Sequence, residues 1–240
     1  MPEQVIQEGP AHVNGFGLHP SIELVELFKN RPFQGQDPQK ASIIFLSSDA
    51  NYSPEISRPP FFNRILEYHR DGVAFWEEED VHHPFLLPDY PLPRNTGGVP
   101  FHRNFSNIGL DSDYAKNISF LEILNVPTTG NKSENMPEFY RLASLCLNHL
   151  RDIENLMKNG GHKLFFVPKR VLEDNIVRIR RENNNINIFP FLDDLITRPV
   201  GSSIVLPKGN KIMTIFHFAA WQIHGQIPSI RSEIKKWLNV

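Results

Sequence analysis

The stretch IIFLSSDANYSP, residues 43–54, runs from four consecutive apolar residues (Ile43 to Leu46) into small and polar ones and stops at Pro54. A short apolar run rich in Ile and Phe, bounded by turn-forming residues, is how a strand buried on both faces reads. The turn after such a strand needs only Gly, Asn or Ser. Asp49 therefore adds a carboxylate that the turn itself does not ask for. In an open α/β sheet the chemistry gathers where parallel strands end, so this stretch predicts a buried strand that delivers an acid to a site.

Working outward, three more apolar runs read as buried strands: SFLEILN (119–125), KLFFVP (163–168) and KIMTIFHF (211–218), beside SIIFLSS (42–48). Helices are expected over 21–30, 60–70, 135–158, 169–183 and 229–238, the last capped by Ser229. Strands alternating with helices imply an α/β fold with a central four-stranded, mostly parallel sheet flanked by helices. The expectation is one domain over 1–240, with 1–40 as an N-terminal extension and 71–118 as a long Pro/Gly-rich loop region. Three of the four runs finish in a polar residue suited to a site: Asp49, Asn125 and His217.

The composition narrows the classes. With 240 residues, 40% of them hydrophobic and 22% charged, the chain is large enough for a sizeable core. A net charge of -2 with ten neutral His means that a nucleic-acid partner is held by a local face and not by the field of the whole chain. The single cysteine, Cys146, excludes an internal disulfide and a four-cysteine zinc site, and its apolar setting predicts a buried thiol. The N-terminus lacks a secretion signal and no apolar run is long enough to span a bilayer, so a cytoplasmic location and no membrane partner are expected. His82 and His83, with His69 and His102, match no standard zinc spacing and read as loop histidines.

In their order along the chain these motifs resemble the uracil-DNA glycosylase superfamily. LSSDANYSP (46–54) lies without a gap over the family's LGQDPYHGP, GVAFW (72–76) over its GLCFS-like stretch, EILNVP (122–127) over LLLNAV and HFAAWQ (217–222) over HPSPLS. The resemblance implies a DNA glycosylase that flips a base out of the duplex and hydrolyses its N-glycosidic bond. Asp49 would stabilise the cationic sugar and orient a water, and His217 would donate to the departing base. Phe75 would stack on the base, and Asn125 would read its edge with Asn51 and Ala50 beside it. Ser47, Ser48, Ser53, Trp221 and Gln222 would contact DNA, Trp221 as the wedge that fills the emptied stack. The chemistry requires no metal or organic cofactor, and the chain is expected to act as a monomer.

The departures from the family point to its substrate. Asn51 stands where the family has a Tyr that excludes large groups on base carbon 5, and Ala50 replaces a Pro. An opened pocket favours DNA with a bulky 5-substituted pyrimidine, of which α-glucosyl-hydroxymethylcytosine in phage DNA is the leading example. Tyr52, His82, His83 and Tyr90 would then line a sugar pocket. HFAA in place of HPSP removes a rigid phosphate-gripping loop. Rival readings are a glycosylase for uracil or a damaged base, and a non-catalytic DNA- or protein-binding module. A hydrolase or transferase acting on free nucleotides is a third. Each residue also has a plainer use: Asp49 as a turn cap, Asn125 in an Asx turn, His217 as a core imidazole and Trp221 packed inward.

Overall fold

The four apolar runs do form strands, and they lie side by side in one sheet. A computed structural model describes residues 15–58 and 60–239. The strands are β1 (Gly17–Leu18), β2 (Phe33–Gly35), β3 (Ile43–Ser47), β4 (Ala50–Asn51), β5 (Ile118–Glu122), β6 (Pro127–Thr129), β7 (Leu164–Pro168), β8 (Ser203–Val205) and β9 (Lys211–Ile215). The helices are α1 (Ile22–Asn30), α2 (Phe62–Arg70), α3 (Gly72–Glu79), α4 (Val99–Ser106), α5 (Met136–Leu145), α6 (Leu147–Asn159), α7 (Val177–Glu182), α8 (Asp193–Thr197) and α9 (Ile227–Leu238).

The main sheet has the order β2-β5-β3-β7-β9-β8. Its four inner strands are parallel, and the two edge strands are antiparallel to their neighbours. The mixed α/β class is as expected, but the sheet has six strands and not four. The two extra strands are three residues each, too short to leave an apolar run in the sequence. Period-2 alternation sends Ile44, Leu46, Leu121, Phe165 and Val167 to one face and Ile43, Phe45, Ile118, Phe120, Leu164 and Phe166 to the other. Leu and Ile of α5 to α7 cover the first face, and aromatic residues of α3 and α4 with Ile230 and Ile234 of α9 cover the second.

A second, three-stranded sheet, β1-β6-β4, grows directly out of the end of β3. Ala50 pairs with Pro127 and Asn51 with Thr128, so the chain is clamped immediately after Asp49. Gly130 has φ +75°, and a Cβ there would stand 2.5 Å from the Gly15 carbonyl oxygen, so this turn admits glycine alone.

Several expectations need correction. Residues 71–118 are not a long loop: they hold α3, α4 and short 3-10 turns at Pro84–Leu86 and Ser112–Asn117. The prolines serve as first-turn residues of these elements, where no N–H is needed. The helix expected over 135–158 is two helices that break at Cys146. The one expected over 169–183 opens with a π-helical segment, Val171–Ile176, before α7. Helix α9 starts at Ile227, with Ser229 inside it donating back to the Gln226 carbonyl. The first forty residues are no simple extension, because β1 and β2 each add an edge to a sheet. Residues 1–14 lie outside the described residues.

Candidate functional site

At the C-terminal ends of β3 and β5, and beyond the end of β9, lies a cleft of about 770 Å³. Its wall includes Ser47, Ser48, Asp49, Ala50, Asn51 and Ser53 from the opening stretch, and His217 from the other side. Two residues 168 positions apart are thus brought to one cavity, which is what the parallel order of the inner strands makes possible.

Asp49 is held from β6. Thr128 Oγ1 donates to its Oδ2 at 2.7 Å, and Asn51 Nδ2 lies 3.5 Å from the same oxygen. No donor among the described residues reaches Oδ1, which is left for a water or a ligand. Asn51 Nδ2 also donates to the Gly130 carbonyl at 2.7 Å, so the amide is turned toward β6 and orients the acid.

His217 follows β9 by two residues. The Ala219 backbone N–H donates to its Nδ1 at 3.1 Å, so Nδ1 carries the lone pair and the neutral ring keeps its proton on Nε2. Nε2 lies 3.4 Å from Ser47 Oγ. Burial, aided by the Lys132 charge, lowers the imidazole's pKa to about 4. A neutral ring that donates through Nε2 is therefore the form present at neutral pH. It can stabilise a negative oxygen without having to lose its charge first.

Lys132 crosses the cleft wall and donates to Ser48 Oγ at 2.8 Å, as does Asn175 Nδ2 of the π-helical segment. Burial lowers the Lys132 pKa, while Asp49, Asp174 and Glu122 pull it back up. Ser48 is thereby a buried strut and Ser47 the neighbour of His217. Ser53 spends its hydroxyl capping the Glu55 N–H.

Four residues expected at the site are not brought to this cleft. Phe75 is buried on α3 against Tyr68, under the Arg64 guanidinium, and Phe85 and Phe101 provide the cleft's aromatic surface in its place. The Asn125 Oδ1 accepts from Cys146 Sγ at 2.8 Å, behind the strand. Burial raises the thiol's pKa to about 11 and accounts for its inertness, while the contact with Asn125 pulls the other way. Trp221 and Gln222 stand outside the cavity on a 3-10 turn two and three residues past cleft-lining Ala219. Trp221 is 78% exposed, the opposite of an inward-packed residue.

The four histidines form a buried cluster: His82 and His83 come from the loop after α3, as expected, whereas His69 lies on α2 and His102 on α4, and His102 lines the cleft. His82 Nε2 and His102 Nδ1 are 3.2 Å apart, His83 stacks on His102 with centroids 3.6 Å apart, and His69 Nε2 meets the Tyr52 hydroxyl at 2.7 Å. Burial lowers the pKa of all four, so they are neutral. Of the residues expected to line a sugar pocket, Tyr52 lines the cleft, whereas His82, His83 and Tyr90 pack behind it.

The sequence reading also missed Glu122, Gln34, Thr128 and Lys132, all set in or against the cleft wall. Glu122 left one signal: it is the lone charge inside the apolar run SFLEILN. No protein-family model matches this chain, and no curated protein matches it in sequence. Among the described residues no helix is long and apolar enough to cross a membrane.

Proposed function

We propose that the chain is a DNA glycosylase that takes a flipped, 5-substituted pyrimidine into this cleft, hydrolyses its N-glycosidic bond and leaves an abasic site. The observation that carries the reading is the convergence of Asp49 and His217, with an Nε2–H tautomer, on one cavity. Bond breaking puts positive charge on the sugar and negative charge on the base. A carboxylate at one end and a neutral N–H donor at the other answer those two charges. The resemblance to the uracil-DNA glycosylase superfamily assigns the same roles to the same two positions.

Two further features support the substrate class. The cleft falls within the range of about 300–1,000 Å³ seen for pockets that enclose whole ligands, which is ample for a substituted base. Asn51, standing where the family has its excluding aromatic, is turned toward β6 and leaves that side without a bulky wall. Phe85 and Phe101 take over the stacking role first given to Phe75. Exposed Trp221, close to the rim, is suited to fill the gap left by the extruded base. Glucosylated hydroxymethylcytosine in phage DNA remains the leading candidate.

The test is an abasic-site assay on duplexes carrying uracil, hypoxanthine, 5-hydroxymethylcytosine or its α-glucosylated form. Release of a 5-substituted base is expected. Asp49→Asn and His217→Ala should each slow it on the order of 10²–10³-fold with folding unchanged. Release of uracil alone overturns the open-pocket reading. DNA binding without release from any duplex makes the chain a binding module.

A further inference from the structure

Glu122 ends β5 in register with Ser47 and is 4% exposed, yet it forms part of the cleft wall. Gln34 Nε2 lies 3.4 Å from its Oε1, whereas Oε2 is buried and has no hydrogen-bond partner among the described residues. A buried polar atom left without a partner is costly unless something else supplies one. The main chain at this position is already spent, its carbonyl accepting from His149 Nε2, so the carboxyl is the group that can recognise anything.

We propose that the Glu122 carboxyl reads the Watson–Crick edge of the flipped base and selects a cytosine-type ring over a uracil-type one. This rests on the glycosylase reading and names the base that the site takes. Burial, reinforced by the nearby Asp49 charge, raises the Glu122 pKa well above the ordinary value, which favours the uncharged acid. Ser47 and the Lys132 charge act the other way but are the smaller influences. Because Gln34 donates to Oε1, that oxygen is the carbonyl of the acid and Oε2 carries the hydroxyl. An Oε2–H donor matches N3 of cytosine, which is an acceptor, while the second lone pair of Oε1 can take the 4-amino group. Uracil presents N3–H at the same place, so donor would face donor. A 5-substituent lies on the other side of carbon 4 and leaves this pairing intact.

The experiment uses the full chain and duplexes whose target nucleotide carries 2′-fluorine, which resists glycosidic hydrolysis. The target bases are 5-hydroxymethylcytosine and 5-hydroxymethyluracil, each with and without α-glucose, so that the paired probes differ only in the Watson–Crick edge. The expected result is about 5- to 150-fold tighter binding of the cytosine member. Glu122→Gln, which keeps an oxygen for Gln34 and puts N–H where the hydroxyl was, should retain that preference. Glu122→Ala should erase it, with folding of each variant followed by circular dichroism. Equal binding of the two members, or a preference for the uracil member, overturns the inference. So does a Glu122→Gln variant that loses the preference as fully as Glu122→Ala. Failure of the underlying reading looks different. The unsubstituted chain would release no base from any cleavable duplex and would bind no modified duplex better than plain DNA, which overturns both proposals. Base release at equal rates from the cytosine and uracil members overturns this one alone.

Discussion

The two faces of the central sheet are built from different materials. On one, Ile44, Leu46, Leu121 and Val167 meet Leu142, Leu150, Ile153, Leu172 and Ile179 in a mainly aliphatic layer that also holds Phe139, Phe165 and Phe189. On the other, Phe45, Phe120 and Phe166 meet Phe101, Phe105 and Trp76, and beside them lie four buried imidazoles, Tyr52 and Glu122. The aliphatic layer asks nothing of its neighbours except a close fit. The aromatic layer buries polar atoms, and Tyr68 Oη, His83 Nε2, Glu122 Oε2 and Trp237 Nε1 have no partner among the described residues, against Ser119 Oγ on the first face. The cleft has been opened beside the second, which carries unmet hydrogen-bonding capacity.

The sharpest way to separate the faces is acid. His69, His82 and His217 have pKa values lowered to about 3, 3 and 4, and those of His83 and His102 are lower than normal as well, all chiefly through burial. The unfolded chain takes up these protons near pH 6.5 while the native chain refuses them, so the stability they contribute is present above pH 6.5 and is lost as pH falls toward 3. Each group costs about 1.4 kcal/mol per pH unit in that window. Glu122 has the opposite sign, contributing stability below its unfolded value that is lost as pH rises through its folded one, but it is one group against these five imidazoles, and burial lowers the pKa of His19 and His149 as well. Denaturant melts from pH 7 to 4 should show a steep loss with unfolding well above pH 4. A flat profile would mean that the imidazoles take up protons without unfolding the chain.

Truncation on the aliphatic side should cost stability without touching chemistry. Phe165 is fully buried there, and Phe165→Ala is expected to lose about 3–5 kcal/mol in urea unfolding. The folded fraction should keep its base-release rate. A specific loss of rate would mean that the two faces are coupled through the sheet.

Smaller effects are expected where the cleft meets the small sheet. Thr128→Val removes the 2.7 Å donor that orients Asp49 while keeping the side chain's shape. The cost in stability should be about 0.5–1.5 kcal/mol, with base release slowed roughly tenfold and the substrate KM little changed. Normal kinetics in that variant would leave Asn51 as the sole positioning group.

The sequence by itself determined the four inner strands of the sheet. Runs such as IIFL and LFFV have no comfortable home except as strands covered on both faces, and strands ending in Asp49 and beside His217 had to bring those groups to the same sheet end. It also carried the buried character of Cys146 and the resemblance that suggests roles for Asp49 and His217. Only the tertiary structure decided which neighbours share their cavity. Asn125 and Glu122 are three residues apart on one chain segment, yet the first turns to Cys146 and the second to the cleft. Phe75 and Phe101 are both aromatic helix residues, and only the packing of α3 and α4 sends one to the core and the other to the cavity wall. Periodicity tells which way a side chain points relative to its own element. Where that element sits against the others is set by the sum of many long-range contacts, which no local stretch contains.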